Sequence, residues 1–485
     1  MNLRNILNLA LPFFYSTRVM LAVFVLILVA GAFGQTARWD MLDQISMADN
    51  YLKAGSLYPS ANSVEPTGVS VYFPGVAILA IALNKLGINF YVVESMLLIA
   101  CLIVLLFLSF QRRLVKEISG TTCSWSEFIP FAISVSLILT PQWLSYAKEF
   151  KPDTVALLLG FSGLMLASFL RADARFLLIF LGALLCSGAL LFKQQYISFI
   201  FGIFLFCVAL PNRTRILFFL HLILFTSCIL VYFYNNSDLW FWNVTVLSDD
   251  GFVSLRETLR DSKPTVVVLF FTILLGSALI KIKKNSNEVD AVDLPNMLRK
   301  SALSSPWIWV VIPSALAAFA SALKAGGNSG NTQLGIILFL PLIFIAFFKL
   351  ERWIIVSIAW FAIFTFLPIL YAGPKAYIEA DQLRTFLIKD LPTKPSLILT
   401  GSNVYFASRV YRNNSNIINY WTISLRNGSD VTTSLKNIMT ITTPDRLIVE
   451  NWPANRAAIM ADIRYELVYE NNLGLVASLH SLKGE

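Results

Sequence analysis

The sequence predicts an α-helical polytopic membrane protein with about eleven transmembrane helices. Short helices lie along its outer surface, and a small α/β or α+β domain follows at the C-terminal end. Three observations carry that expectation. Of 485 residues, 56% are hydrophobic and only 14% are charged, against about 25% charged in a soluble domain; the mean hydropathy is +0.67. Apolar runs approaching the ~20 residues needed for a span recur along the chain. Lys and Arg gather at alternate ends of those runs, as they do on the cytoplasmic side of membrane proteins. These loops account for the net charge of +9, and no nucleic-acid partner is expected. The five cysteines form no CxxC pair and lie mostly within apolar runs. His221 and His480 are the only histidines. Neither a disulfide framework nor a His-rich metal centre is expected.

Phe13 to Phe33 is the first apolar run, with Arg4 and Arg18 at its start. It lacks a small-residue cleavage pattern and reads as a retained helix with the N-terminus inside. A polar stretch, Gln35 to Gly75, follows. Such a long connection between spans is usually functional. Tyr72 to Leu86 is apolar but short and opens on Phe73-Pro74-Gly75. Placing it on the outer surface puts Gln111-Arg112-Arg113-Leu114-Val115-Lys116 inside, as the positive-inside rule requires. Tyr91 to Phe110 then runs inward and Phe128 to Trp143 outward. Thr154 to Leu170 runs inward to Arg171 and Arg175. Phe176 to Phe192 goes out, and Tyr196 to Leu210 comes in to Arg213 and Arg215. Ile216 to Tyr234 goes out, and Val266 to Ile280 comes in to Lys281, Lys283 and Lys284. Trp307 to Leu323 goes out, Leu334 to Phe348 comes in to Lys349 and Arg352, and Trp353 to Tyr371 goes out. The composition then turns mixed. The expected domains are therefore 1–372 in the membrane, with 35–90 as first outer loop, and 373–485 outside. Ser396 to Leu399 and Asp445 to Glu450 read as strands, and Asp381 to Ile388 as a helix.

Four constellations could carry chemistry. In the first, Asp40 sits just outside the first span, followed by Met41 and Asp43. Ile45, Ala48, Tyr51 and Leu52 then mark one face of a surface helix that Gly55 would end. A carboxylate at membrane depth is tunable as a general base; the plain alternative is a helix cap. The second is Lys148-Glu149-Phe150-Lys151-Pro152-Asp153 at the start of a span. Pro suits the first helical turn and Asp its positive end, so this too can be read as a simple helix start. In the third, Phe192-Lys193-Gln194-Gln195, a lysine interrupts an apolar run at an outer end; it either snorkels or binds a phosphate. The fourth, Lys324 to Asn331, is a Gly- and Asn-rich outer turn around Asn328, rich in backbone donors or merely a connection. Trp240 and Trp242 lie in a further outer loop, where aromatics suit either sugar stacking or an interface belt.

One ordered set of motifs resembles a known superfamily. Asp40 follows the first helix, Ala48 comes eight residues on, then Gly55-x-Leu57-Tyr58-Pro59, then the Phe73-Pro74-Gly75 surface helix. Over roughly the first 200 residues this pattern is similar to the polytopic GT-C glycosyltransferases. Those enzymes use polyprenyl-phosphate sugars and include the aminoarabinose transferase and protein mannosyltransferase families. Asp153 matches the end of the family's second acidic loop, and Lys193-Gln194 resembles its bacterial members. The chain departs at Met41, which replaces the second acid of the usual pair.

The resemblance implies an inverting transferase that moves a sugar from a polyprenyl-phosphate donor to a lipid, glycan or protein hydroxyl on the outer face. Asp40 and Asp153 would be the catalytic acids. Lys193 and Lys151 would hold the donor phosphate. Asp43, Tyr58, Gln194, Trp240 and Asn328 would contact sugar or acceptor. No metal site is assigned, and a divalent ion is the one cofactor left open. A bacterial inner membrane is the expected location, with the C-terminal domain periplasmic. Two other readings stay open: a polysaccharide polymerase or ligase using lipid-diphosphate glycans, and a lipid or glycan transporter. Transport is disfavoured because charges sit at span ends and no internal repeat is visible.

Overall fold

Long apolar runs with few helix breakers wind into helices in the computed structural model of the chain. It describes residues 16–33, 48, 51, 55, 57, 74–86, 112, 124–138, 152–168, 175–235, 306–322, 352–389, 396–399, 415–418, 436, 439–440, 445–472 and 474–479. The helices are α1 (Thr17–Phe33), α2 (Gly75–Lys85), α3 (Trp125–Ile138), α4 (Pro152–Ala167), α5 (Phe176–Phe192), α6 (Tyr196–Ala209) and α7 (Arg213–Asn235). They continue with α8 (Pro306–Ala322), α9 (Arg352–Phe366) and α10 (Ile369–Lys389). The expected spans Val266 to Ile280, Leu334 to Phe348 and Tyr91 to Phe110 lie outside the described residues.

The 23 residues of α7 reach about 35 Å, enough to cross a hydrocarbon core. Its most apolar window has a mean hydropathy of 2.5 and is only 17% buried, so most of its surface faces outward. Leu220, Ile223, Leu224, Leu230 and Val231 make that exposed apolar face, joined by Leu177, Ile197 and Phe201 on α5 and α6. A water-soluble protein rarely exposes so much apolar surface, and such a surface suits contact with lipid. At eleven residues, α2 is too short to cross. Its Val76 and Ala77 are fully buried.

Close approach between helices depends on small residues, as it does where lipid removes the hydrophobic drive. A Cβ on Gly163 of α4 would meet the Cys186 sulfur and lie 2.9 Å from the Gly182 carbonyl of α5. Ser187 of α5 is fully buried and lies 3.1 Å from the Thr226 hydroxyl of α7. One of these hydroxyls donates to the other, a polar tie inside the bundle. At the expected inner ends the basic residues are built into the structure. Asn212 accepts from the Arg215 N–H at 2.8 Å and from the Thr214 hydroxyl at 2.7 Å, starting α7. The Arg215 guanidinium donates to the Leu210 carbonyl at 2.8 Å and lies 4.6 Å from the Phe206 ring centre. Arg112, from the basic cluster after the Tyr91 to Phe110 run, lies 4.3 Å over the Trp125 ring that opens α3.

The C-terminal residues form a five-stranded mixed sheet of order β2-β1-β3-β5-β4. Its strands are β1 (Ser396–Leu399), β2 (Ser415–Ile418), β3 (Arg446–Glu450), β4 (Tyr465–Glu470) and β5 (Gly474–Leu479), with α11 (Pro453–Met460) between β3 and β4. β1 pairs parallel with β2 and β3; β5 pairs antiparallel with β3 and β4. Alternation assigns the two faces. Leu447, Val449, Leu475 and Ala477 share a core with Ala458 and Ile459 of α11. Ile448 and Val476, between them in sequence, share the bundle's cluster with Leu383 and Leu387 of α10. Phe386 stacks on Tyr469 with ring centres 4.4 Å apart. Asn471 and Asn472 donate to the Glu379 backbone and side chain at 3.0 and 2.7 Å. Helix α10 therefore serves both the membrane bundle and the sheet. It runs through position 372/373, where the composition changes, and takes in the helix expected over Asp381 to Ile388.

Candidate functional site

Two of the motifs expected at outer ends, those at Pro152-Asp153 and at Lys193-Gln194, lie on α4 and at the end of α5, which pack antiparallel. Gly188 of α5 faces Leu159 of α4, and Gly163 faces Cys186 and Gly182. One turn further along each helix come Val155 and Phe192, both buried. The same register, continued, directs the first turn of α4, which starts at Pro152 and carries Asp153, toward the end of α5 at Lys193. Pro152 supplies the fixed φ of a first helical turn and no orphan N–H.

Lys193 ends α5 by turning extended, at φ −148° and ψ 123°, while its N–H still donates to the Ala189 carbonyl. The chain reverses at once. The Tyr196 N–H donates to the Lys193 carbonyl at 3.1 Å, and Ile197 to that of Gln194 at 3.1 Å. The Ser198 hydroxyl donates to the Gln195 carbonyl at 2.7 Å. Lys193 is only 6% exposed. A lysine so enclosed is rare in proteins. It does not simply snorkel to open water.

Two further helices close on this turn. The start of α2 lies against the end of α5: a Cβ on Gly75 would sit 2.6 Å from the Leu191 carbonyl oxygen and 2.9 Å from Phe192 Cγ. The ring of Tyr196, first residue of α6, fills the space where a Cβ on Gly160 of α4 would lie, 2.7 Å away. Helix N-termini carry unsatisfied N–H groups and a partial positive charge. The starts of α2 and α4, together with an enclosed ammonium, make an anion-attracting corner.

Ahead of α2, Ala48 and Tyr51 are helical, and Gly55 takes the left-handed φ of 74° with its N–H donating to the Tyr51 carbonyl at 2.9 Å. That is the glycine stop expected for the surface helix. Ala48 and Leu57 are buried in the bundle core. Of the expected site residues, Lys193, Gln194 and the backbone of Asp153 are described: Lys193 and Gln194 share the turn after α5, and Asp153 lies in the first turn of α4. Asp40, Asp43, Tyr58, Lys151, Trp240 and Asn328 lie outside the described residues. Among the described residues, no three His, Cys, Asp or Glu side chains cluster as metal ligands. Gly160 and Tyr196 were not singled out from sequence; the glycines at 160 and 163 in an apolar helix were the available signal.

No family model matches the chain, and no curated protein matches it. Solved structures do. ArnT from Cupriavidus metallidurans bound to undecaprenyl phosphate is similar at a TM-score of 0.60 and 12% identity, over 96% of this chain and 98% of that one. The same protein in its apo state gives a TM-score of 0.47 and 11% identity, over 95% and 97%. Nearly the whole chain thus shares one architecture, a polytopic helical membrane fold, with the bound structure.

Proposed function

We propose that this protein is an inverting membrane glycosyltransferase, transferring a sugar from a polyprenyl-phosphate donor to a hydroxyl on a lipid, glycan or protein. The observation that carries the reading is the corner where the starts of α2 and α4 meet the enclosed Lys193. It is suited to a lipid phosphate, and it stands on a fold shared with a structure that holds undecaprenyl phosphate. In the reaction, Asp40 takes the proton of the acceptor hydroxyl, whose oxygen attacks the anomeric carbon. The bond from that carbon to the phosphate oxygen breaks, and the polyprenyl phosphate leaves with the electron pair. A single displacement inverts the anomeric centre. Lys193, with Lys151, meets the charge that develops on the leaving phosphate. Asp153 orients the acceptor; Asp43, Tyr58, Gln194, Trp240 and Asn328 contact sugar or acceptor. The lipid enters sideways between helices, from the outer leaflet of a bacterial inner membrane, and the C-terminal sheet helps to bind the acceptor on that side.

Replacing Lys193 tests the phosphate role. A charge-assisted hydrogen bond is worth about 1.5–3 kcal/mol, so Lys193→Met should lower kcat/KM for a polyprenyl-phosphate sugar by about 10- to 150-fold. Lys193→Arg should recover part of the loss. Unchanged kinetics in Lys193→Met would remove the lysine from the site.

A further inference from the structure

We infer that Gly75 and Gly160 are positioning residues: they clamp the Lys193 turn from two sides and thereby fix the ammonium where a lipid phosphate is bound. The inference rests on the function proposed above. It comes from where the close approaches fall. Lys193 carries one side chain on a three-residue reversal between α5 and α6. The chain just before it, Leu191 and Phe192, lies against Gly75, the first residue of α2. The residue that restarts the helix after it, Tyr196, lies against Gly160 of α4. A Cβ at either glycine falls below 3 Å from its neighbour, a distance that packed atoms do not tolerate, so something must move.

At Gly75 the obstacle is backbone, the Leu191 carbonyl, which cannot swing aside as a side chain can. The end of α5 must shift, and Lys193 is two residues on. At Gly160 the obstacle is the Tyr196 ring, and the displacement enters the turn from its far side. Gly188 lies on the same helix as Lys193, five residues earlier, yet a Cβ there meets only Leu159 Cδ1, at an ordinary 3.7 Å. Gly163 is as tightly packed as Gly75 but lies two to three turns from the corner, against Cys186 and Gly182. The two glycines at the turn therefore differ from their neighbours in what they hold.

There is a consequence for assembly of the site. The stretch Gln35 to Gly75, which carries Asp40, ends at Gly75. The seat of Gly75 on Leu191 and Phe192 thus ties the end of the segment bearing the proposed base to the segment bearing the phosphate lysine. Relaxing that seat should loosen phosphate binding rather than binding of the apolar tail.

The test is binding of undecaprenyl phosphate and of uncharged undecaprenol to the full-length protein in lipid nanodiscs, read by titration. Gly75→Ala should weaken undecaprenyl phosphate about fivefold or more, leave undecaprenol within about twofold, and add nothing in a Lys193→Met background, because coupled groups are not additive. Gly160→Ala should act in the same direction and serves if Gly75→Ala does not fold. Gly188→Ala should bind both ligands like wild type. Gly163→Ala should lower the unfolding temperature while keeping the preference for the phosphate. The inference is overturned if Gly75→Ala and Gly160→Ala bind undecaprenyl phosphate like wild type. Weakening of both ligands alike, or effects that add to those of Lys193→Met, would also overturn it. If Lys193→Met itself keeps wild-type preference for the phosphate, the proposed phosphate site fails and the positioning role fails with it.

Discussion

Truncating Leu383 to alanine should loosen the C-terminal sheet on the helical bundle. The side chain is fully buried on α10 and shares one cluster with Ile448 of β3 and Val476 of β5. Removing a buried leucine costs about 2–5 kcal/mol through lost transfer energy and the cavity left behind. Domains hold about 5–15 kcal/mol in reserve, so the protein should stay folded while the sheet opens about 30-fold more often at the lower bound. The Phe386–Tyr469 stack and the Glu379 hydrogen bonds remain, which keeps the sheet attached. Hydrogen–deuterium exchange in nanodiscs reads the change directly. Amides of 446–450 and 474–479 should exchange faster in Leu383→Ala, while those of α4 and α5 keep wild-type rates. Ile378→Ala on the same helix, at a residue 56% exposed, should leave both sets unchanged. Unchanged exchange in β3 and β5 of Leu383→Ala would refute a helix shared by bundle and sheet.

Other outcomes follow from single contacts. Ser187→Ala should lower the unfolding temperature by the loss of its tie to Thr226, a stabilisation of about 0.6–2 kcal/mol between helices in lipid. The double variant with Thr226→Val should cost no more than either alone, because the pair acts as one unit. In the turn between α11 and β4, the Arg464 side chain holds Asp462 through bonds of 2.9 and 2.7 Å, which lowers the carboxyl's pKa against the opposing effect of burial. Because the folded value is depressed, this stabilisation is present above the unfolded pKa of about 3.9 and vanishes as pH falls through the folded value. The gap in unfolding temperature between wild type and Asp462→Asn should thus be open at pH 7 and close progressively in acid below about pH 4. A gap that persists unchanged in strong acid would assign the effect to something other than the ion pair.

Where the chain alternated cleanly between apolar runs and polar punctuation, its structure was legible. Phe176 to Phe192 is bounded by Arg175 and Lys193, and the helix has those limits. Ser396 to Leu399 is a strand as read, and the strand over Asp445 to Glu450 begins one residue later. Gly55 stops its helix because a left-handed residue is needed there. Legibility failed where one helix changes environment midway. Past Tyr371, α10 turns amphipathic, with Pro374, Lys375 and Glu379 breaking its apolar run, and Glu379, Leu383, Phe386 and Leu387 meet the sheet. Composition therefore marks a change of surroundings at a point where the helix itself continues. β2, β4 and β5 were not expected, since four to six mixed residues carry little periodicity. In the candidate site, Lys193 stood out because a charge inside an apolar run is costly. Its company did not, because the register of α4 on α5 and the seats at Gly75 and Gly160 exist only once helices distant in sequence pack together.

Transfer itself is the most direct test of the proposed reaction. Purified protein in lipid, given radiolabelled undecaprenyl-phosphate sugars and a membrane-lipid extract as acceptor, should form labelled product with release of undecaprenyl phosphate. Asp40→Asn should lower that rate by about a hundredfold or more, within the range for removing a general base, while donor binding stays near wild type. Failure of folded wild type to consume any polyprenyl-phosphate sugar would contradict the reaction; wild-type transfer by Asp40→Asn would contradict the assignment of the base.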